Sequence, residues 1–318
     1  MYDLTISNSN ALTKGKTIQD LMQEWVSFLD VKPKTAQTYT RNIKPFIEYL
    51  AFNGISDPQR ADVIAYRDEL KSPSNPDMKP KKPATVQAYI TAVKLFFQWA
   101  EVQGLYPNIA KKVKGAKIRN EHKKDPLTIG QITEILRNFN REKNIGKRDF
   151  AMFALMITCG LRTIEVVRAN VEDMRTVAGY TVLFLQGKGR DDKSEYVKIP
   201  EAIEKAIREY LATRNDLKDN SPLFASEANR NRGDRLTTRS VSRVIKEAMR
   251  AINLDSNRLS AHSLRHTTAT INLLNGGTVE ETQQLLRHEN INTTMIYNHA
   301  LSRVKNNSEE RVAEAIFS

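Results

Sequence analysis

Residues 261–300 hold most of the side chains in this sequence that could do chemistry. Four of the five histidines fall there, His262, His266, His288 and His299, together with Arg265, Arg287 and Tyr297. His262 and Arg265 are three positions apart, so on a helix both project from one face and can grip the same small anion. A side chain that attacks a phosphodiester must face phosphorus, have cations on the non-bridging oxygens, and have a proton delivered to the departing 5′ oxygen. Tyr297 suits the nucleophile, but a phenol titrates near pH 10, so it needs a base or strong positive potential beside it. Arg162 and Arg265 can each make bidentate contacts to phosphate oxygens. His262 and His288 can donate to an oxygen or accept the phenolic proton. Lys188, set between Gly187 and Gly189, can reach the leaving oxygen as an acid. None of these steps needs a metal or another cofactor. The spacing of His262 and His266, with His288 and Glu289, also admits a zinc site. That rival lacks the general-base glutamate of the metalloprotease motif, and retained activity in chelator would dismiss it.

The elements that must bring these groups together can be read on either side. After Pro126, Ile129, Ile132, Ile135 and Leu136 mark one helix, and the apolar run from Phe150 to Ile157 marks a second. Cys159-Gly160-Leu161-Arg162 ends that helix and starts another, which contains Glu165. Tyr180–Leu185 and Glu195–Ile199 read as two strands joined through the Lys188 turn, so one hairpin sits in a helical domain. Residues 201–214, 237–252, 261–274, 279–286 and 293–299 read as helices. In the last stretch, Val304, Val312, Ile316 and Phe317 are available for packing.

The first hundred residues contain an internal echo. Lys32-Pro33-Lys34-Thr35-Ala36-Gln37-Thr38-Tyr39, with Lys44, Phe46 and Gly54, reappears fifty residues on as Lys82-Pro83-Ala84-Thr85-Val86-Gln87-Ala88-Tyr89, with Lys94, Phe96 and Gly104. Eight of the 23 paired positions are identical. Each copy reads as a helix with proline at its start and glycine past its end, two hairpins making a four-helix module. Lys34, Arg41, Lys44, Lys81, Lys82 and Lys94 then form a basic surface able to lie along phosphates. Shared helix-start grammar and ordinary solvated lysines are the plainer readings of the same features.

Net charge is +12 over 318 residues, with a sequence pI near 9.6, and the excess is spread along the chain. This favours a polyanionic partner such as nucleic acid. One cysteine, Cys159, excludes an internal disulfide and a thiolate metal cage, and fits a reducing, cytoplasmic setting. There is no membrane-length apolar run and no signal-peptide pattern. Lys111 to Lys124 carries seven Lys/Arg against Glu121 alone, like a linker running beside a polyanion. The expected domains are a polar lead-in (1–16), a helical DNA-binding module (17–110), the basic linker (111–126) and a catalytic domain with a C-terminal tail (127–318).

Thr158-Cys159-Gly160-Leu161-Arg162-Thr163-Ile164-Glu165, Lys188, His262-Ser263-Leu264-Arg265-His266, Leu286-Arg287-His288 and Tyr297 stand in an order and spacing that resembles the tyrosine recombinases, the phage-integrase and Xer-like family. The resemblance is close from about Thr128 onward and looser in the N-terminal module, which is similar to that family's helical core-binding domain. It implies a mainly α fold with a small β-hairpin or sheet: a helical core-binding domain followed by an α+β catalytic domain. It implies site-specific strand exchange on double-stranded DNA through a 3′-phosphotyrosyl link at Tyr297, with no nucleotide cofactor. By the same resemblance, Arg162 and Arg265 clamp the scissile phosphate, His288 hydrogen-bonds it, Lys188 is the general acid, His262 the base, and Glu165 orients the cluster. Four protomers on two DNA sites are implied, with the C-terminal segment passed to a neighbour. The mobilised DNA would be a phage, a transposon or another mobile element, or a chromosome dimer. The short run before Thr17 leans toward a simple Xer-like or transposon system. A type IB topoisomerase or a non-cleaving DNA-binding regulator would share much of this pattern. The family's usual glycine before the later histidine is replaced here by Arg287, a residue that could add a phosphate contact.

Overall fold

The computed structural model describes residues 18–118, 124–187, 189–215 and 217–317, in two compact units, Met1–Asn120 and Glu121–Ser318. In the first, α1 (Ile18–Phe28), α2 (Pro33–Phe52), α3 (Arg60–Lys71) and α4 (Pro83–Val102) surround one core. The echo in the sequence is an echo in structure. Both α2 and α4 run for 20 residues from a first-position proline. Both end before a left-handed glycine, Gly54 at φ 62° and Gly104 at φ 64°. The same capping bond follows each, Ile55 N–H to Leu50 O at 2.9 Å and Leu105 N–H to Ala100 O at 2.8 Å. The paired Phe46 and Phe96 are both buried, in edge contacts with Phe97 and with Trp25 respectively.

The second unit begins with α5 (Ile129–Arg137), capped by Thr128, whose Oγ1 accepts from the Gln131 N–H. Helix α6 (Asn144–Cys159) is buried almost throughout its second half, and α7 (Thr163–Arg168) follows directly. The strands β1 (Met174–Val177), β2 (Tyr180–Leu185) and β3 (Glu195–Lys198) form an antiparallel sheet in that order, with Leu183 opposite both Met174 and Val197. Sequence reading finds only the β2–β3 hairpin. Strand β1 escapes it because four largely exposed residues carry no clear alternation, and the tight turn before β2 uses Ala178 at φ 50° ahead of Gly179 at φ 80°.

Helices α8 (Glu201–Leu211), α9 (Thr238–Arg250), α10 (Ala261–Leu274), α11 (Val279–Leu286), α12 (Asn292–Lys305) and α13 (Ser308–Phe317) complete the chain. Helix α10 is the hub, packing against α6, α9, α11 and α12. Of the C-terminal residues available for packing, Val312, Ile316 and Phe317 on α13 are exposed within this chain, Phe317 at 86%, and the side chain of Val304 lies outside those described.

Candidate active site

The site begins where α6 stops. Gly160 takes the left-handed conformation, φ 59°, and a Cβ there would lie 2.6 Å from Leu286 Cδ2, so both the turn and the close approach require glycine. The turn puts Arg162 at the N-cap of α7. Its backbone N–H donates to Glu165 Oε2 and its Nη1 to Glu165 Oε1, each at 2.7 Å. Glu165 is fully buried. Burial alone would raise its carboxyl pKa, yet Arg287 and the Arg162 hydrogen bonds hold it below the ordinary carboxylate value.

Helix α10 brings in Arg265, which is almost wholly buried. It donates from Nη1 to Gly160 O at 2.6 Å and from Nη2 to Leu286 O, so one guanidinium ties together the C-terminal ends of α6 and α11. Burial, with Arg162 and Arg287 nearby, lowers its pKa to about 9, which leaves it charged at neutral pH. One turn earlier, His262 opens to solvent. The surrounding protein, then Arg265, Arg162 and Lys124, lower its pKa.

Arg287 ends α11 in the left-handed conformation, φ 55°, taking the backbone shape a glycine would supply. The phosphate contact that the sequence allows it is not where the side chain points in this structure. Its side chain is 4% exposed and turns inward, donating from Nη2 to Glu165 Oε2 at 2.9 Å and from Nη1 to Leu285 O at 2.6 Å. The turn presents His288, whose Nδ1 is 2.8 Å from Thr294 Oγ1. Burial and then the cations Arg265, Arg162 and Arg287 push the His288 pKa down to about 3.

Tyr297 projects from α12 into the same cluster and is 5% exposed. Its ring meets His266 edge-on at 4.5 Å between centroids and lies parallel to His288 at 6.4 Å. Ala269 and Leu286 pack beside it. Burial raises the phenol pKa above its ordinary value, and the charges of Arg265 and Arg162 offset only part of that rise. The result is a ring held near two charged guanidiniums and a neutral His288, an arrangement suited to an arriving anion.

Six of the sequence candidates therefore converge: Arg162, Glu165, Arg265, Arg287, His288 and Tyr297, with His262 on the open side. Lys188 lies outside the described residues. On either side of it in sequence, Gly187 O accepts from Arg168 Nη1 at 2.9 Å, and Arg190 pairs with Glu195 at 3.2 Å. Lys193, the other lysine of this turn, is held by the buried Asp173 at 2.6 Å. In the N-terminal unit Lys34, Arg41 and Lys44 are exposed on α2, Lys81 and Lys82 are exposed just before α4, and Lys94 is half-buried on α4. Among the described residues, no group of three His, Cys, Asp or Glu is arranged to hold a metal ion. The sequence offers His266 only as part of the zinc rival and does not point to Thr294. Both are fixed by packing, His266 against the tyrosine ring and Thr294 against His288, and no local pattern signals either.

Residues 126–303 match the model of the phage integrase family, and residues 23–104 match that of the phage integrase N-terminal SAM-like domain. Tyrosine recombinase XerC of Thermodesulfovibrio yellowstonii is 27% identical over 273 residues, covering 83% of this chain and 85% of that protein. The fold is similar to that of the XerH site-specific recombinase in a post-cleavage complex with a palindromic difH substrate, at TM-score 0.69 and 19% identity over 97% of this chain and 90% of that one. It is also similar to a lambda integrase tetramer bound to a Holliday junction, at TM-score 0.67 and 17% identity over 91% of this chain and 78% of that one.

Proposed function

Because the chain belongs to the phage integrase family, we propose that it is a site-specific tyrosine recombinase that cuts and rejoins double-stranded DNA, with Tyr297 as its nucleophile. The observation that carries the residue assignment is the meeting of Tyr297 with Arg162, Arg265 and His288, drawn from separate stretches of chain into one buried cluster. Arg162 and Arg265 take up charge on the non-bridging oxygens through N–H groups not spent on Glu165 and the helix ends. His288, oriented by Thr294, donates a further hydrogen bond. The phenolic proton passes to His262, a bond forms between Tyr297 Oη and phosphorus, and the bond to the 5′ oxygen breaks. Lys188 protonates that oxygen. The reverse reaction with a partner strand's 5′ hydroxyl reseals the DNA, and the phosphodiester bond energy is kept in the adduct.

The exposed cations of α2 and of the segment entering α4 give the N-terminal unit a surface suited to the DNA backbone. Four copies on two sites are the assembly proposed, with the exposed α13 face of Val312, Ile316 and Phe317 available to a neighbouring copy. No described helix is long and apolar enough to cross a membrane. DNA in the cytoplasm is the proposed place of action.

A suicide duplex carrying the crossover site mapped from DNA beside the gene tests the reading. The chain is expected to form a covalent adduct that Tyr297→Phe abolishes, and an adduct indifferent to that substitution would sink the assignment. For Lys188, a duplex with a 5′-thiolate leaving group is expected to rescue Lys188→Ala, because a thiolate departs without an acid; no rescue moves the role to another group.

A further inference from the structure

We propose that Arg287 is a positioning residue of the cleavage centre, holding the buried Glu165 carboxylate so that Arg162 keeps its guanidinium for the scissile phosphate. The inference rests on the recombinase reading above and deepens it.

Glu165 is bonded from two sides. Oε1 accepts from Arg162 Nη1 at 2.7 Å, while Oε2 accepts from the Arg162 backbone N–H at 2.7 Å and from Arg287 Nη2 at 2.9 Å. A buried carboxylate paired with Arg162 alone would spend that cation on itself, since attraction between opposite charges is strong away from water. Arg287 changes the balance. Arg162, Arg265 and Arg287 against Glu165 leave the cluster with two net positive charges, and without Arg287 it has one.

The backbone points the same way. At φ 55° a residue with a Cβ carries strain that glycine would not. Arginine occupies the position nonetheless, and its side chain turns inward, both terminal nitrogens bonded and Nε buried without a partner. Besides Glu165 and Leu285 O, it reaches Gly160 O from Nη2 at 3.4 Å, and its own carbonyl accepts from Arg162 Nη2 at 3.4 Å. Arg287 thus touches Arg162 through its carbonyl and Glu165 through its guanidinium, with a side chain only 4% exposed.

The test follows single-turnover adduct formation on the suicide duplex together with affinity for the same duplex, using the full chain. Arg287→Gly, which suits the backbone, is expected to slow cleavage at least about 10-fold while leaving affinity within about twofold. Adding Glu165→Gln removes the carboxylate that would otherwise claim Arg162, and is expected to recover most of the lost rate. Should Arg287→Gly unfold, Arg287→Lys and Arg287→Met make the same comparison at similar length, with the lysine chain the faster. Wild-type cleavage by Arg287→Gly, a loss that Glu165→Gln deepens, or equal rates for the lysine and methionine chains overturns the inference. A native chain that forms no Tyr297 adduct overturns the recombinase reading itself, and that failure is visible before any Arg287 variant is made.

Discussion

At the scale of single residues, the site is a set of charges tuned by burial. His288 is held near pKa 3, so at neutral pH it is an uncharged ring beside three arginines. A bound anion reverses that environment and raises its pKa toward the ordinary value of about 6.5, so anion binding takes up a proton. Sulfate, which does not itself titrate in this range, is therefore expected to bind roughly threefold or more tightly at pH 5.5 than at pH 8, measured by its effect on the melting temperature, with His288→Gln removing most of the difference. The anion-free chain has the opposite tendency. A histidine whose folded pKa lies below its unfolded one costs stability as pH falls from about 6.5 toward 3, because the unfolded chain takes the proton first. The Arg287 substitution for the usual glycine was visible in the sequence, but its consequence was not. Whether an arginine points out to phosphate or in to Glu165 depends on a backbone angle and on a carboxylate 122 positions away.

At the scale of elements, the cluster exists because helix ends meet. Gly160 and Arg287 both cap helices in the left-handed conformation, and Arg265 bridges the carbonyls of Gly160 and Leu286. Gly160→Ala imposes strain at φ 59° and drives a methyl into Leu286, so it is expected to destabilise the catalytic unit by about 2 kcal/mol or more and to slow cleavage as the Arg162 turn shifts. Thermal unfolding and adduct formation measure the two effects. The elements themselves were largely legible. Helices α10 and α11 stand at the boundaries their periodicity and caps predict, and the proline and glycine brackets locate α2 and α4. What could not be read was set by tertiary contact: the edge strand β1 and the ring of His266 against Tyr297.

At the scale of the whole molecule, each of the two units folds around its own main hydrophobic core. The family's function demands both a grip on DNA and a cleavage centre, and the net charge of +12 suits the grip. Removing residues after Lys305 takes away the exposed α13 face and is expected to weaken cooperative pairing of DNA sites more than binding to one site, as gel mobility on one-site and two-site duplexes would show. Equal losses would assign the tail to its own unit.

The echo in the N-terminal unit has a practical consequence. Two helix hairpins, α1–α2 and α3–α4, make up the unit, and the mostly exposed residues 72–82 form the loop inside the second, outside the core. A peptide tag or a light-responsive domain spliced in near Asn75 would lengthen that loop without cutting either helix, giving an engineer a handle on the enzyme remote in sequence from Tyr297.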